Sequence, residues 1–77
     1  MEAYKIRFIN EYHELVNRAD KLQAMLIKYD MDMLEFTPDC PISLLRAQFS
    51  IMAAYINILK TRAIYENINL EENCENE

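Results

Sequence analysis

The chain has no glycine, no tryptophan, two prolines, two cysteines and one histidine among its 77 residues. Each shortage excludes something. Without glycine there is no Gly-rich loop to wrap a phosphate and no calcium loop that turns on a glycine. The single histidine, His13, has no cysteine or serine nucleophile beside it in sequence. Together with Cys40 and Cys74 it still falls one ligand short of a closed zinc site. Those two cysteines, one between prolines and one in an acidic stretch, make no disulfide framework. No secretory pattern precedes them, and a reducing cytosol suits them. The longest uninterrupted apolar runs, such as Ile51 to Ile56, fall far short of the roughly 20 residues of a membrane-spanning helix. The sequence therefore predicts neither an enzyme nor a metal or cofactor carrier, and it predicts no membrane partner.

Basic charge is also scarce. The net charge is −5, but four of the carboxylates (Glu71, Glu72, Glu75 and Glu77) sit in the last seven residues. Without them eight cations meet nine carboxylates, so the body is nearly neutral. A duplex nucleic-acid binder would need a basic face, and none is expected here. A local pocket for a small anion remains compatible with this balance. The stretch 71–77, with little apolar content and repelling charges, is expected to be a disordered acidic tail.

What the chain does have is heptad spacing. In the first half, Phe8, Tyr12, Leu15, Ala19, Leu22, Leu26 and Tyr29 are separated by steps of 4, 3, 4, 3, 4, 3. That spacing predicts one helix over about residues 3–29 with a continuous apolar seam. Glu14 and Arg18 form an i,i+4 pair of the favourable polarity on its wet side. Pro38 and Pro41 then break helical continuity, and about 30–40 reads as a loop. Thr37 and Asp39 are candidate N-caps for a second helix, with Pro41 in its first turn.

The second half predicts that helix over about 41–68. Ile42, Leu45, Phe49, Met52, Ile56, Leu59 and Ala63 form its seam. A second stripe, Ile51, Tyr55, Ile58, Arg62 and Tyr65, runs beside the first. One seam can pair with the first helix in an antiparallel hairpin about 40 Å long at about 1.5 Å per residue. The second stripe has no partner within so short a chain. A chain of this size is marginal alone, and oligomerisation is the usual remedy. The expected architecture is therefore all-α: a hairpin over residues 1–70 that assembles with itself into an oligomeric helical bundle. Asn57 is expected either to set register in that bundle or to be exposed.

Five tyrosines and a few arginines are the residues with binding chemistry. Tyrosine offers a ring and a polar tip, and arginine offers a fork that matches phosphate. Arg62 and Tyr65 are three apart on the second helix. Tyr4 and Arg7 are three apart on the first. An antiparallel hairpin brings the start of one helix beside the end of the other, so these four form a candidate ligand site. The alternative is that the tyrosines pack an interface while Arg62 pairs with a carboxylate, Glu66 being nearest.

Residues 7–26, "RFINEYHELVNRADKLQAML", and 40–63, "CPISLLRAQFSIMAAYINILKTRA", resemble a family of small proteins from crAss-like and other tailed phages. The shared features are Tyr12-x-Glu14-Leu15 and a later Leu45-x-x-Gln48. The resemblance covers about residues 4–68 and implies a phage origin. Residues 57–64, "NILKTRAI", are similar to the end of the hairpin in anti-CBASS and anti-Thoeris sponge proteins, in the element Leu59-x-x-Arg62-Ala63. The flanking proline and aromatic-rich stretch of that element are not reproduced. This likeness implies an oligomer in the host cytoplasm that sequesters a cyclic nucleotide, or a cyclic ADP-ribose-type signal, without cleaving it. Arg62 and Arg7 would hold phosphate while Tyr4 and Tyr65 stack on bases. The competing expectations are a protein-binding inhibitor of a host defence enzyme and a small structural or regulatory phage protein.

Overall fold

A computed structural model describes residues 2–71 of the chain. Two helices, α1 (Ala3–Asp30) and α2 (Ile42–Tyr65), account for most of it. Three cross-links fix their direction. Arg46 meets Asp30 near the loop, Tyr55 donates to Glu11 further along, and Arg62 lies over Phe8 at the open end. Early residues of α1 thus face late residues of α2, and the hairpin is antiparallel. Its extents of 45 × 24 × 18 Å match the expected length.

The seams meet as their spacing predicts. Phe8, Ala19 and Leu26 of α1 and Leu59 and Ala63 of α2 are buried. Every other member of the α2 seam is half-buried, and only Tyr29 of the α1 seam is exposed. Ile9, outside the predicted seam, is fully buried as well. The core concentrates at the open end, where Phe8, Ile9, Leu59, Ala63 and Ile68 form one cluster. At roughly 1.5–3 kcal/mol per large apolar side chain removed from water, this end holds the hairpin most firmly.

The helix ends show how a chain without glycine stops a helix. Helices commonly close with a residue in the left-handed region, usually glycine and sometimes Asn. Here Asp32 (φ 57) and Asn67 (φ 56) take that role. After each, an amide folds back: Met33 N–H donates to the Lys28 carbonyl and Ile68 N–H to the Ala63 carbonyl, 2.8 and 2.9 Å. Short polar side chains make this conformation accessible to Asp and Asn. As a result α2 ends at Tyr65, short of the expected 68. Ile68 does not continue the helix; it folds under the open end and is buried there, with Leu70 packed alongside.

Two further expectations are corrected. Neither Thr37 nor Asp39 caps α2: Pro41 is the N-cap, and no side chain bonds the first turn. The Pro41 carbonyl accepts from Leu44 and Leu45 N–H, a role for which proline's missing donor is no handicap. The shortness of the apolar runs also does not exclude a membrane-length helix. Taken whole, α2 is long and apolar enough to cross a membrane, with mean hydropathy 1.4, because its polar breaks are isolated. Against such a span stands α1, packed along it and bearing Lys5, Arg7, Glu11, Glu14, Arg18, Asp20 and Lys21, charges that are costly inside a bilayer. Within the acidic stretch 71–77 only Glu71 is described, its N–H donating to the Asn69 side-chain oxygen at 3.0 Å; the remainder lies outside the described residues.

Candidate functional site

Every member of the second stripe of α2 is exposed. Ile51, Tyr55, Ile58 and Tyr65 all face away from the core, Tyr65 at 83% exposure. Toward the open end this face hollows into a shallow depression of about 360 Å3, lined by Asn57, Ile58, Thr61, Arg62, Tyr65 and Glu66. Its floor is mainly aliphatic and its rim carries the charges. Thr61 turns its hydroxyl inward along the helix, donating to the Asn57 carbonyl at 3.0 Å.

Arg62 is the organising side chain of this rim. Its Nε donates to Glu66 Oε2 at 2.9 Å, one turn along the same helix. Its guanidinium carbon lies 4.8 Å from the centre of the Phe8 ring, a cation–π contact that bridges α2 to α1. Phe8 was legible as a seam residue, but not as a platform for Arg62. Ala63, small and buried in the same cluster as Phe8, leaves the neighbouring arginine room to lie across the ring. Held at one donor and one face, the guanidinium still presents its Nη edge, and its side chain is half exposed. Arginine carries five N–H donors, and Nε–H alone has a protein acceptor here among the described residues.

The four residues of the expected site do not all converge. Arg62 and Tyr65 share the rim. Tyr4 and Arg7 lie on α1 at the same end, both exposed, but neither lines the depression. The structure thus brings together one pair of the two. The pairing of Arg62 with Glu66 also places a carboxylate where an incoming anion would approach.

The other end of the hairpin is different in character. Arg46 Nη1 donates to Asp30 Oδ2 at 3.2 Å, and Nη2 donates to Oδ1, a two-pronged pair that ties the loop ends together. Hydrogen bonding to Arg46 holds the Asp30 carboxyl below its ordinary value and raises the guanidinium in turn. Met31, Met33 and Phe36 are exposed in the connecting loop. His13 is exposed on α1, edge-on to Tyr12 with ring centres 5.4 Å apart.

Residues 2–65 match the family described as Sequestin. The chain belongs to the Sequestin family. The match takes in both helices, the whole of the interhelical seam and the Arg62–Tyr65 rim. The family name speaks of sequestration, the holding of another molecule. Among curated proteins and among solved structures, none matches the chain.

Proposed function

We propose that this member of the Sequestin family is a phage-encoded counter-defence protein that binds a cyclic-nucleotide immune signal in the host cytoplasm and keeps it from its effector without cleaving it. The observation that carries the reading is the Arg62–Tyr65 rim. It pairs an oriented guanidinium with a free Nη edge and a tyrosine ring open to solvent, in a family named for sequestration. Arg62 supplies charge-assisted hydrogen bonds to phosphate and Tyr65 a stacking face for a base. Tyr4 and Arg7, one helix away at the same end, extend the site toward a second phosphate and base. The action is mass action: a stoichiometric binder lowers free signal below the threshold of its receptor. The protein acts as a homo-oligomer, since the exposed stripe of α2 has no cover among the described residues.

A second reading, a protein-binding inhibitor of a defence enzyme, draws on the exposed Met31, Met33 and Phe36 at the loop end. Calorimetric titration with cyclic di- and trinucleotides and cyclic ADP-ribose isomers separates the two. Wild type should bind at least one of these, and heating the complex should release the ligand intact. Arg62→Ala should weaken binding by about 10- to 150-fold, the loss of a charged hydrogen bond worth about 1.5–3 kcal/mol. Glu66→Gln, which removes the competing carboxylate, should bind at least as well as wild type. Absence of heat across the whole panel would sink the nucleotide reading and favour a protein target.

A further inference from the structure

The outward side of α2 holds a heptad pattern of its own. Leu44, Ile51, Ile58 and Tyr65 recur every seven residues, and all four are exposed, by 57% to 83%. Ala47, Ala54 and Thr61 fall between them, three residues on from each of the first three, and are exposed too. The pattern is offset by two residues from the seam that meets α1, which is about 200° around the helix. So α2 has two seams on opposite sides, one filled within the chain and one open. The open one alternates strictly between large and small side chains.

We propose that this open seam binds the same seam of a second copy running antiparallel, in the register that sets Leu44 against Thr61, Ile51 against Ala54 and Ile58 against Ala47. The proposal rests on the self-association in the functional reading and names its face, direction and register; it does not require a nucleotide. Packing decides the direction. Antiparallel alignment meets Leu44, Ile51 and Ile58 each with a small residue, so the layers interlock. Parallel alignment would stack large on large and alanine on alanine, leaving alternate layers crowded and hollow.

The depression beside Arg62 and Tyr65 is the second argument. Four of its lining residues, Ile58, Thr61, Arg62 and Tyr65, are spaced i, i+3, i+4, i+7. Such a quartet forms the hole that receives a single knob from a facing helix. In the proposed register the knob is Leu44 of the second copy. Tyr65 forms the outer wall of that hole and falls beyond the last full layer, so the outward side of its ring stays available for stacking, and the Nη edge of Arg62 stays on the rim.

Charge and exposure agree. Between Ile42 and Tyr65 there is no carboxylate, and the cations are Arg46, Lys60 and Arg62. Antiparallel pairing keeps the Lys60 and Arg62 groups of the two copies at opposite ends. Along the flanks it sets Gln48 near Tyr55, Ser50 near Asn57 and Arg62 near Pro41, with no like charges opposed. Leu44, Ile51 and Ile58 are each more than half exposed, and with the flanking residues they offer an apolar strip along most of α2, whereas stable interfaces begin at about 600 Å2 per partner. A bilayer is the less fitting cover, because the opposite side of α2 is held by the charged α1.

Sedimentation equilibrium without nucleotide tests the proposal. Wild type should be dimeric or larger at micromolar concentration. Ala54→Ile, on an exposed face away from the core, should raise the dissociation constant at least about ten-fold, because it meets Ile51 of the other copy. The double variant Ile51→Ala with Ala54→Ile should recover to within about three-fold of wild type, since the layer again pairs large with small. Circular dichroism should show unchanged helix content. If Ala54→Ile loses helix, Thr61→Leu and its rescue with Leu44→Ala make the same test one layer away. A tighter complex with Ala54→Ile would overturn the antiparallel arrangement. Failure of the double variant to recover would overturn the register. Unchanged assembly in all variants would overturn the face while leaving self-association standing. A wild-type monomer that binds zwitterionic or anionic vesicles, more strongly with Ala54→Ile, would assign the face to membrane instead.

Discussion

The two sides of α2 are built from the same materials and end in different states. The inner seam and the outer pattern share heptad spacing, and both rely on leucine, isoleucine and alanine. Yet Leu59 is fully buried while Ile58, its neighbour in sequence, is more than half exposed. The difference lies in what faces them: α1 covers one side and nothing among the described residues covers the other. Apolar periodicity says that a face is to be buried. It does not say by what, and only the count of available helices separates folding from assembly.

Breaking the comparison most severely calls for an inner residue. Leu59→Ala should cost about 2–5 kcal/mol in urea unfolding, through lost transfer energy and a cavity beside Phe8 and Ile9. Ile58→Ala, measured at a concentration low enough to keep the protein monomeric, should change stability by less than about 0.5 kcal/mol, because its side chain is already in water. Equal effects would mean that the two faces are not distinct in the monomer.

A medium effect should come from the end of α2. Asn67 occupies the left-handed region and turns Ile68 into the core. Asn67→Ala should destabilise by about 1 kcal/mol, the approximate penalty of a Cβ in that conformation, whereas Asn67→Gly should be close to neutral. Thermal melts of the three proteins measure this directly.

The smallest effect belongs to the exposed Arg46–Asp30 pair, and pH reveals it. The folded Asp30 carboxyl titrates below its unfolded value. Its contribution is therefore complete above the ordinary carboxylate range and is lost as acid carries the pH down through the folded value. Melting temperatures of wild type and Asp30→Asn should differ slightly above the ordinary carboxylate range and converge once the pH has fallen through the lowered folded value. A difference that grows in acid would contradict the pairing.

The hairpin was legible because its signal is repetitive. Fourteen seam positions in two runs left little choice of helix or facing side, and Pro38 with Pro41 marked the break. The helix ends were less legible. Asp32 and Asn67 stop their helices through backbone conformation, which neither residue signals as plainly as glycine does. Ile68 kept its place in the apolar count, so its spacing suggested more helix when it serves as a folded-back plug. Of the site, the Arg62–Tyr65 pair was readable as an i,i+3 neighbourhood and Glu66 as an i,i+4 partner. Phe8 beneath Arg62 depends on the rotation of α1 against α2, which spacing alone does not set. That rotation also leaves Tyr4 and Arg7 outside the depression.

The two-sided account of α2 is tested most directly by sedimentation of wild type beside Ile51→Asp at the same micromolar concentration, with circular dichroism on both. Wild type should sediment at a multiple of its 9.2 kDa chain mass. Ile51→Asp should fall to the single-chain mass while keeping its helical signal, since a carboxylate cannot be buried unpaired in the outer seam but leaves the inner one untouched. A wild-type monomer, or an Ile51→Asp variant that assembles as wild type does, would contradict it.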